Sequence, residues 1–163
     1  HLFSSAASDV YKRQNYTDPI NQFNFYGAVD DVWIKPNGEL IISDVKATSK
    51  KEFNWFETYK YDYAKGYKRQ IEMYQWLFRK NGFKVSNEGF LIYFNGLRNE
   101  PMFNKQLKFE LHLIRLECND EWVEETIIEA KKLLQINDLP SASKKCSTCL
   151  YLKDRWKVKQ QID

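Results

Sequence analysis

The chain has 163 residues, a length that predicts a single domain, and its 43% hydrophobic content is ample for a core. The formal net charge of +3 permits nucleic-acid binding but does not argue for it. No apolar run approaches the roughly 20 residues that span a bilayer, and no signal peptide is evident. Three cysteines without a disulfide pattern fit a reducing compartment, so we expect a cytoplasmic protein with no membrane partner.

The first 14 residues look foreign to the fold. Residues 9–14, DVYKRQ, resemble a translated transposon adaptor from sequencing libraries. On this interpretation the chain is a gene fragment whose upstream part is missing; the alternative is an ordinary polar N-terminus. We therefore exclude residues 1–14 from the fold prediction, place the domain at residues 15–145 and treat residues 146–163 as a C-terminal tail.

The most informative stretch is residues 25–49, FYGAVDDVWIKPNGELIISDVKATS. Pro36-Asn37-Gly38 has strong turn chemistry, because Pro presets φ and Asn-Gly tolerates positive φ. The flanking runs, 25–34 and 39–46, are rich in Val, Ile, Tyr and Trp, as strands are. The pattern predicts a β-hairpin, and the polar residues 15–24 predict a lead-in loop.

A helix is predicted from about residue 58 to residue 80, where Asn81-Gly82 supplies a C-terminal stop. Its buried stripe is predicted to hold Tyr63, Tyr67, Gln70, Tyr74 and Leu77. The later elements are predicted to be a buried strand at 88–95, a half-solvated strand at 106–117 and a helix from about 120 to 135. This order predicts an α/β fold with a mixed sheet flanked by helices.

The predicted hairpin collects charged residues on one face. Asp44 and Lys46 share a face of the second strand with Leu40 and Ile42, because side chains alternate along a strand. Asp30 faces the same way on the first strand. Two acids and a lysine on a largely apolar face need compensation. A divalent cation such as Mg²⁺ supplies it, because hard cations prefer carboxylate oxygens.

These residues resemble the motifs of a known family. Gly27-Ala28-Val29-Asp30 followed by Asp44-Val45-Lys46 is similar to the G-x-x-D … D-x-K core of the PD-(D/E)XK nucleases. Residues 70–74, QIEMY, resemble the Q-x-x-x-Y helix motif of the RecB type within that family. The resemblance implies a restriction-endonuclease-like core, an N-terminally truncated domain and hydrolysis of phosphodiester bonds.

The resemblance also implies roles for individual residues. Asp30 and Asp44 are expected to bind Mg²⁺ or Mn²⁺, with the backbone carbonyl of Val45 as a third ligand, and the number of ions stays open. Lys46 is expected to orient the attacking water or stabilise charge on the phosphate. Gln70 is expected to contact that water or the nucleic-acid backbone. Tyr74 is expected to bond a phosphate or stack on a base.

Plainer interpretations of the same residues stay open. Asp30 is otherwise a turn acid, and Asp44 with Lys46 an exposed ion pair on an edge strand. Asp31 points away if the strand is regular, whereas a bulge would exchange it with Asp30. Tyr74 is equally well a core residue, and Gln70 a solvated one. Other charged or polar residues, Glu39, Glu72 and His112, are expected to be solvated.

Cys146-x-x-Cys149 has metal-ligand spacing. It resembles the C-terminal cysteines of iron–sulfur members of the RecB type, such as the AddB subunit and the CRISPR-associated exonucleases. Such clusters need four thiolates, and Cys118 is a poor substitute at a predicted strand end. The pair is therefore interpreted as an iron–sulfur or zinc remnant, or as a structural turn.

The combined prediction is a magnesium-dependent DNA nuclease, expected to be an exonuclease in DNA repair, recombination or CRISPR-type processing. A helicase or CRISPR-adaptation subunit is the expected protein partner, and RNA stays open as a substrate. Two alternatives are a nucleic-acid-binding module whose nuclease centre is unused and a structural module of a helicase–nuclease complex. Cleavage that depends on Asp44 separates the first prediction from both.

Overall fold

The computed structural model describes residues 12–98, 105–138 and 140–159. Most of the segment interpreted as adaptor-derived, residues 1–11, lies outside the described residues. The chain divides into two compact units, residues 1–126 and 127–163. The described part of the chain contains no helix long and apolar enough to cross a membrane.

The first unit begins with a two-stranded antiparallel ribbon. Strand β1 (Arg13–Asp18) pairs with β2 (Phe23–Ala28), and the register runs from Arg13 opposite Ala28 to Asp18 opposite Phe23. The carboxylate of Asp18 accepts hydrogen bonds from the backbone N–H groups of Ile20 and Asn21, which holds the turn. The prediction of a loop over residues 15–24 was therefore wrong. The strand was missed because its residues are mostly polar and lack an apolar alternation.

A four-stranded mixed sheet forms the centre of the first unit. Its order is β3-β4-β5-β6, with β3–β4 and β5–β6 antiparallel and β4–β5 parallel. The strands are β3 (Asp31–Ile34), β4 (Leu40–Thr48), β5 (Val85–Gly96) and β6 (Phe109–Glu117). The predicted mixed sheet flanked by helices is confirmed. Because β4 is a central strand, the interpretation of its charges as an edge-strand pair does not hold.

The predicted turn closes the β3–β4 hairpin. Gly38 has φ +79°, and its N–H donates to the carbonyl oxygen of Lys35 at 2.9 Å. The prediction of one continuous strand over 25–34 was wrong, because the chain leaves the ribbon at Val29 and joins β4 only at Asp31. The Val29 N–H donates to the Lys12 carbonyl oxygen at 2.9 Å, the last contact before this break.

The predicted helix from residue 58 is two helices. Helix α1 (Trp55–Tyr59) begins at Asn54, whose side chain accepts from the Glu57 N–H, and α2 spans Asp62–Lys80. Helix α2 ends at Asn81 and Gly82, as predicted; Gly82 has φ +84°. The remaining helices are α3 (Glu121–Leu134) and α4 (Ser147–Lys159). Helix α4 was predicted only as a tail, because its sequence has no apolar stripe.

The core of the first unit lies where α2 packs on the sheet. Ile71 and Phe78 of α2 are completely buried, as are Ile42 of β4 and Leu91 of β5. Burial of side chains of this size contributes roughly 1.5–3 kcal/mol each to folding. The predicted helix stripe holds from Tyr67 onward but not at Tyr63, which is 49% exposed.

Candidate active site

Asp44 and Lys46 project from the centre of the sheet towards α2. Asp44 is 3% exposed, and its Oδ2 pairs with the Lys46 ammonium group. Val45 between them is exposed on the other face of the sheet, as strand alternation requires. The predicted shared face of Asp44 and Lys46 is therefore present in the structure.

Asp30 reaches the same point from the break between β2 and β3. Its Oδ2 accepts a hydrogen bond from the Val45 backbone N–H at 2.8 Å, next to Asp44. The alternation argument that placed Asp30 on a continuous strand does not apply, because Asp30 lies between strands. The break itself turns this carboxylate onto β4, so Asp30 and Asp44 are neighbours for a different reason from the predicted one.

The surroundings of Asp44 disfavour its charged form. Burial raises the pKa of Asp44, the Lys46 ammonium group opposes this, and the nearby carboxylate of Asp30 raises the pKa further. Asp44 Oδ2 is buried, and the Lys46 ammonium group is its partner. Two neighbouring carboxylates, one of them buried, fit a hard divalent cation.

In the described part of the chain, few side chains that could bind a metal lie near Asp30 and Asp44. The described residues contain no group of three or more His, Cys, Asp or Glu side chains that could hold a metal. Mg²⁺ is commonly held by one or two carboxylates, with water and substrate phosphate as its other ligands. Asp30 and Asp44 therefore suit Mg²⁺ or Mn²⁺, whereas they are too few to form a closed structural site.

Helix α2 brings the predicted glutamine to Lys46. Gln70 Oε1 accepts a hydrogen bond from Lys46 Nζ at 3.0 Å, and its Nε2 donates to the Tyr74 hydroxyl at 3.3 Å. The Tyr67 ring lies 4.7 Å from the same ammonium group, a cation–π contact. Gln70 is thus neither solvated nor isolated: it links Lys46 of the sheet to Tyr74 of the helix.

Tyr74 combines the two interpretations given for it. Its ring is partly buried and packs against the core and against Gly27, whereas its hydroxyl accepts from Gln70. Gly27 and Gln70 also line a cavity of about 310 Å³ beside Tyr74. The first and last motif residues therefore meet in one place.

Asp31 has a structural role. Its Oδ2 accepts from Trp33 Nε1 and its Oδ1 from the Val32 N–H, both at 3.0 Å. Asp31 lies opposite Ser43, whose hydroxyl donates to the Asp31 carbonyl oxygen at 3.2 Å. Asp30 rather than Asp31 is consequently the carboxylate that reaches Val45.

Sequence reasoning missed Tyr93 near this site. Tyr93 lies opposite Lys46 in the β4–β5 register and is 3% exposed. Its hydroxyl has no hydrogen-bond partner within the described residues, and burial raises its pKa. The sequence carried a partial signal: residues 88–95 were predicted to form a strand, and every second residue of a strand faces the same side of the sheet.

Glu72 and His112 are not the solvated residues that were predicted. Glu72 is 4% exposed; its carboxylate accepts from the Asn119 N–H and Trp122 Nε1 and pairs with Lys68 at 2.9 Å. This carboxylate ties α2 to the start of α3. The half-buried ring of His112 lies 4.4 Å from that of Phe53. Glu39 is partly exposed and pairs with Lys35, at 3.0 Å.

The cysteine pair lies in the second unit, at the start of α4. The Sγ atoms of Cys146 and Cys149 are 2.6 Å apart, and Cys146 Sγ accepts from the Cys149 N–H. These bonds lower the pKa of Cys146, whereas the Cys146 sulfur raises that of Cys149. Buried Cys118 has its pKa raised to about 11 by burial, so it is no ready thiolate ligand.

The structure has a mixed sheet whose central strand carries an acid and a lysine, with a second acid beside them. The chain belongs to the PD-(D/E)XK nuclease superfamily, whose family model matches residues 3–153. No curated protein matches the chain. Among solved structures, the crystal structure of SSO0001 matches with a TM-score of 0.42 and 18% identity. The match covers 77% of this chain and 49% of that one, so this chain spans about half of its length.

Proposed function

We propose that this chain forms the core of a metal-dependent nuclease of the RecB type that hydrolyses phosphodiester bonds in DNA. The observation that carries the proposal is the continuous set of contacts from Asp30 through Val45, Asp44 and Lys46 to Gln70. Residues far apart in the sequence converge there, although burial of Asp44 costs free energy. Buried ionisable groups with shifted pKa values are typical of functional sites.

Asp30 and Asp44 would hold the divalent ion, and the carbonyl oxygen of Val45 is the proposed third protein ligand. When bound, the ion would offset phosphate charge and lower the pKa of water. The raised pKa of Asp44 supports this role, because a cation placed beside two neighbouring carboxylates relieves both burial and mutual repulsion.

Lys46 would stabilise the charge that develops on the phosphate. Its ammonium group is held from three sides by Asp44, Gln70 and the Tyr67 ring. A cation fixed in advance need not reorganise during reaction, which is the source of its catalytic effect. Gln70 and Tyr74 are then positioning residues that orient Lys46, rather than contacts to water or a base.

The order of the motifs supports the assignment of the chain to the RecB type. G-x-x-D, D-x-K and Q-x-x-x-Y occur in sequence, and the structure joins residues of all three. Exonuclease action in DNA repair, recombination or CRISPR-type processing, with a helicase or adaptation subunit as partner, is proposed on this resemblance. Linear and circular DNA of equal sequence would test the exonuclease assignment, because an exonuclease degrades only the linear form.

The direct test is cleavage of end-labelled DNA with Mg²⁺, with Mn²⁺ and with chelator. We expect cleavage only with the ions, and a fall of at least about 100-fold for Asp44→Ala and for Lys46→Ala. Asp31→Asn is the matched control and should retain activity. Ion-independent cleavage, or equal activity of Asp44→Ala, would contradict the proposal. DNA binding without cleavage would favour the unused-centre alternative, and an RNA substrate in parallel would test the choice of DNA.

A further inference from the structure

An unusual concentration of aromatic and basic residues precedes Gln70. Residues 50–70 contain seven aromatic residues and six Lys or Arg against three Asp or Glu. Several of these rings are not buried: Tyr61 is 59% exposed and Tyr63 is 49% exposed. Exposed rings interleaved with cations are costly as plain surface but suit a partner that offers flat rings and negative charge.

The exposed rings of Tyr61 and Tyr63 form, with the partly buried Tyr67, an aromatic ladder that leads to the proposed site. The rings of Tyr61 and Tyr63 are nearly parallel, with centroids 5.7 Å apart and planes 14° from each other. The Tyr63 and Tyr67 rings are 5.9 Å apart, and Tyr67 contacts the Lys46 ammonium group. The ladder therefore runs from solvent to the lysine proposed to act on phosphate.

The segment before the ladder is anchored to the sheet. Buried Asn95 of β5 accepts from the Lys50 N–H at 2.8 Å and donates to the Lys50 carbonyl oxygen at 3.1 Å. Lys50 Nζ in turn donates to Thr58 Oγ1 at 2.8 Å and contacts the Tyr63 hydroxyl at 3.5 Å. Lys50 is thus anchored to β5 and lies beside Tyr63.

Tyr93 forms the floor beneath this region. Its ring lies 4.9 Å from Phe53 and 6.4 Å from Tyr67, and its buried hydroxyl lacks a partner within the described residues. The floor packs as core, whereas the outer rings of Tyr61 and Tyr63 stay half exposed. This difference separates the two outer rings from ordinary core aromatics.

We propose that Tyr61 and Tyr63 are a stacking platform for the unpaired bases of single-stranded DNA, which leads the strand to Lys46. The proposal rests on the proposed function, since it names the form of the same substrate. Bases within a duplex already stack on each other, so a tyrosine ring enters between them only at the cost of unstacking a base step. Single strands offer free faces, and the lysines of the segment suit their phosphates.

The test uses the full chain in an Asp44→Ala background, so that binding is measured without cleavage. Affinity for a single-stranded oligonucleotide that contains 2-aminopurine is measured by anisotropy, and stacking by quenching of the 2-aminopurine fluorescence. Tyr61→Ala/Tyr63→Ala should weaken binding at least about tenfold and abolish quenching. Tyr61→Phe/Tyr63→Phe should keep both, because the ring and not the hydroxyl is needed. Tyr151→Ala, an exposed tyrosine of α4, is the matched control.

The outcomes separate the two proposals. Alanine variants that bind and quench like their parent, phenylalanine variants that lose binding equally, or a protein that binds no single strand would each overturn the platform. Equal weakening on duplex DNA would overturn it as well. If the wild-type chain cleaves DNA but the alanine variants bind and quench like the Asp44→Ala protein, the platform is overturned and the nuclease proposal stands. If binding depends on the two rings but the wild-type chain cleaves no DNA, the nuclease proposal is contradicted and the platform is supported.

Discussion

Gly27 and Tyr74 are in direct contact, although they belong to different motifs. A Cβ atom at position 27 would lie 2.8 Å from Tyr74 Cε1 and 3.3 Å from Cδ1. Real Cβ contacts essentially never come this close, so a side chain at position 27 would have to move the ring. The contact explains in physical terms why a glycine precedes Asp30 by three residues: the tyrosine of α2 occupies the space.

Gly27→Ala should therefore lower both stability and cleavage. Overpacking of this kind costs about 1–3 kcal/mol, and a displaced Tyr74 would disturb Gln70 and Lys46. Thermal unfolding and cleavage rates measure the two effects. Gly66→Ala is the matched control, because a Cβ at position 66 of α2 meets nothing within 4 Å. It should be neutral or stabilising by up to about 1 kcal/mol. If Gly27→Ala and Gly66→Ala have the same stability and cleavage rate, the position of the Tyr74 ring against residue 27 is not important for either property.

Tyr74→Phe tests the hydroxyl separately from the ring. The ring keeps its packing, so the free energy of unfolding should change by no more than about 1.5 kcal/mol for one lost neutral hydrogen bond. Gln70 loses the acceptor for its Nε2, so cleavage should fall with little change in substrate affinity. Initial rates over a range of DNA concentrations separate kcat from KM. A change in KM alone would indicate that Tyr74 binds DNA rather than positions Gln70.

The sequence predicted the elements that have strong local signals. Pro36-Asn37-Gly38 specified the hairpin turn, and Asn81-Gly82 the end of α2, because both sites need residues that tolerate positive φ. The β4 alternation placed Asp44 and Lys46 on one face. Local chemistry of this kind can be read without knowledge of the partners in space.

The remaining features depend on contacts between distant residues. Glu72 resembles a solvated helix acid until Asn119 and Trp122, nearly 50 positions later, supply its donors. Strand β1 is polar and exists through its pairing with β2, so its own sequence carries little signal. Asp30 lies beside β4, where it accepts from the Val45 N–H, but the regular strand that was predicted to bring it there is interrupted in the structure.

Gly89 offers a second test of close packing, in the core. A Cβ at position 89 would lie 2.6 Å from Ile71 Cγ2 and 3.3 Å from Cys118 Sγ. Gly89→Ala should destabilise the protein by about 1–3 kcal/mol. Ile71→Ala removes the clashing methyl group, so the double variant should be more stable than the sum of the single effects predicts. Denaturant unfolding of all four proteins gives the coupling energy, expected at about 0.5–3 kcal/mol; strict additivity would contradict the contact.

The three cysteines should differ in reactivity. Cys118 is buried and its pKa is raised to about 11, so at pH 8 roughly one molecule in a thousand carries the thiolate. Cys146 and Cys149 are partly exposed, and the pKa of Cys146 is lowered by its hydrogen bonds. Iodoacetamide should therefore label two cysteines in the folded protein and a third only in guanidinium chloride, as read by mass spectrometry. Labelling of Cys118 as fast as that of Cys146 would contradict its burial.

Asp30 and Asp44 are proposed to hold one divalent ion together. Titration of the protein with Mn²⁺, followed by the electron paramagnetic resonance signal of the free ion, measures this binding directly and without any substrate. Asp30→Asn and Asp44→Asn should each weaken binding by at least about tenfold, whereas Asp31→Asn should bind like the parent protein. Unchanged Mn²⁺ affinity in the first two variants, or a loss confined to Asp31→Asn, would contradict the account.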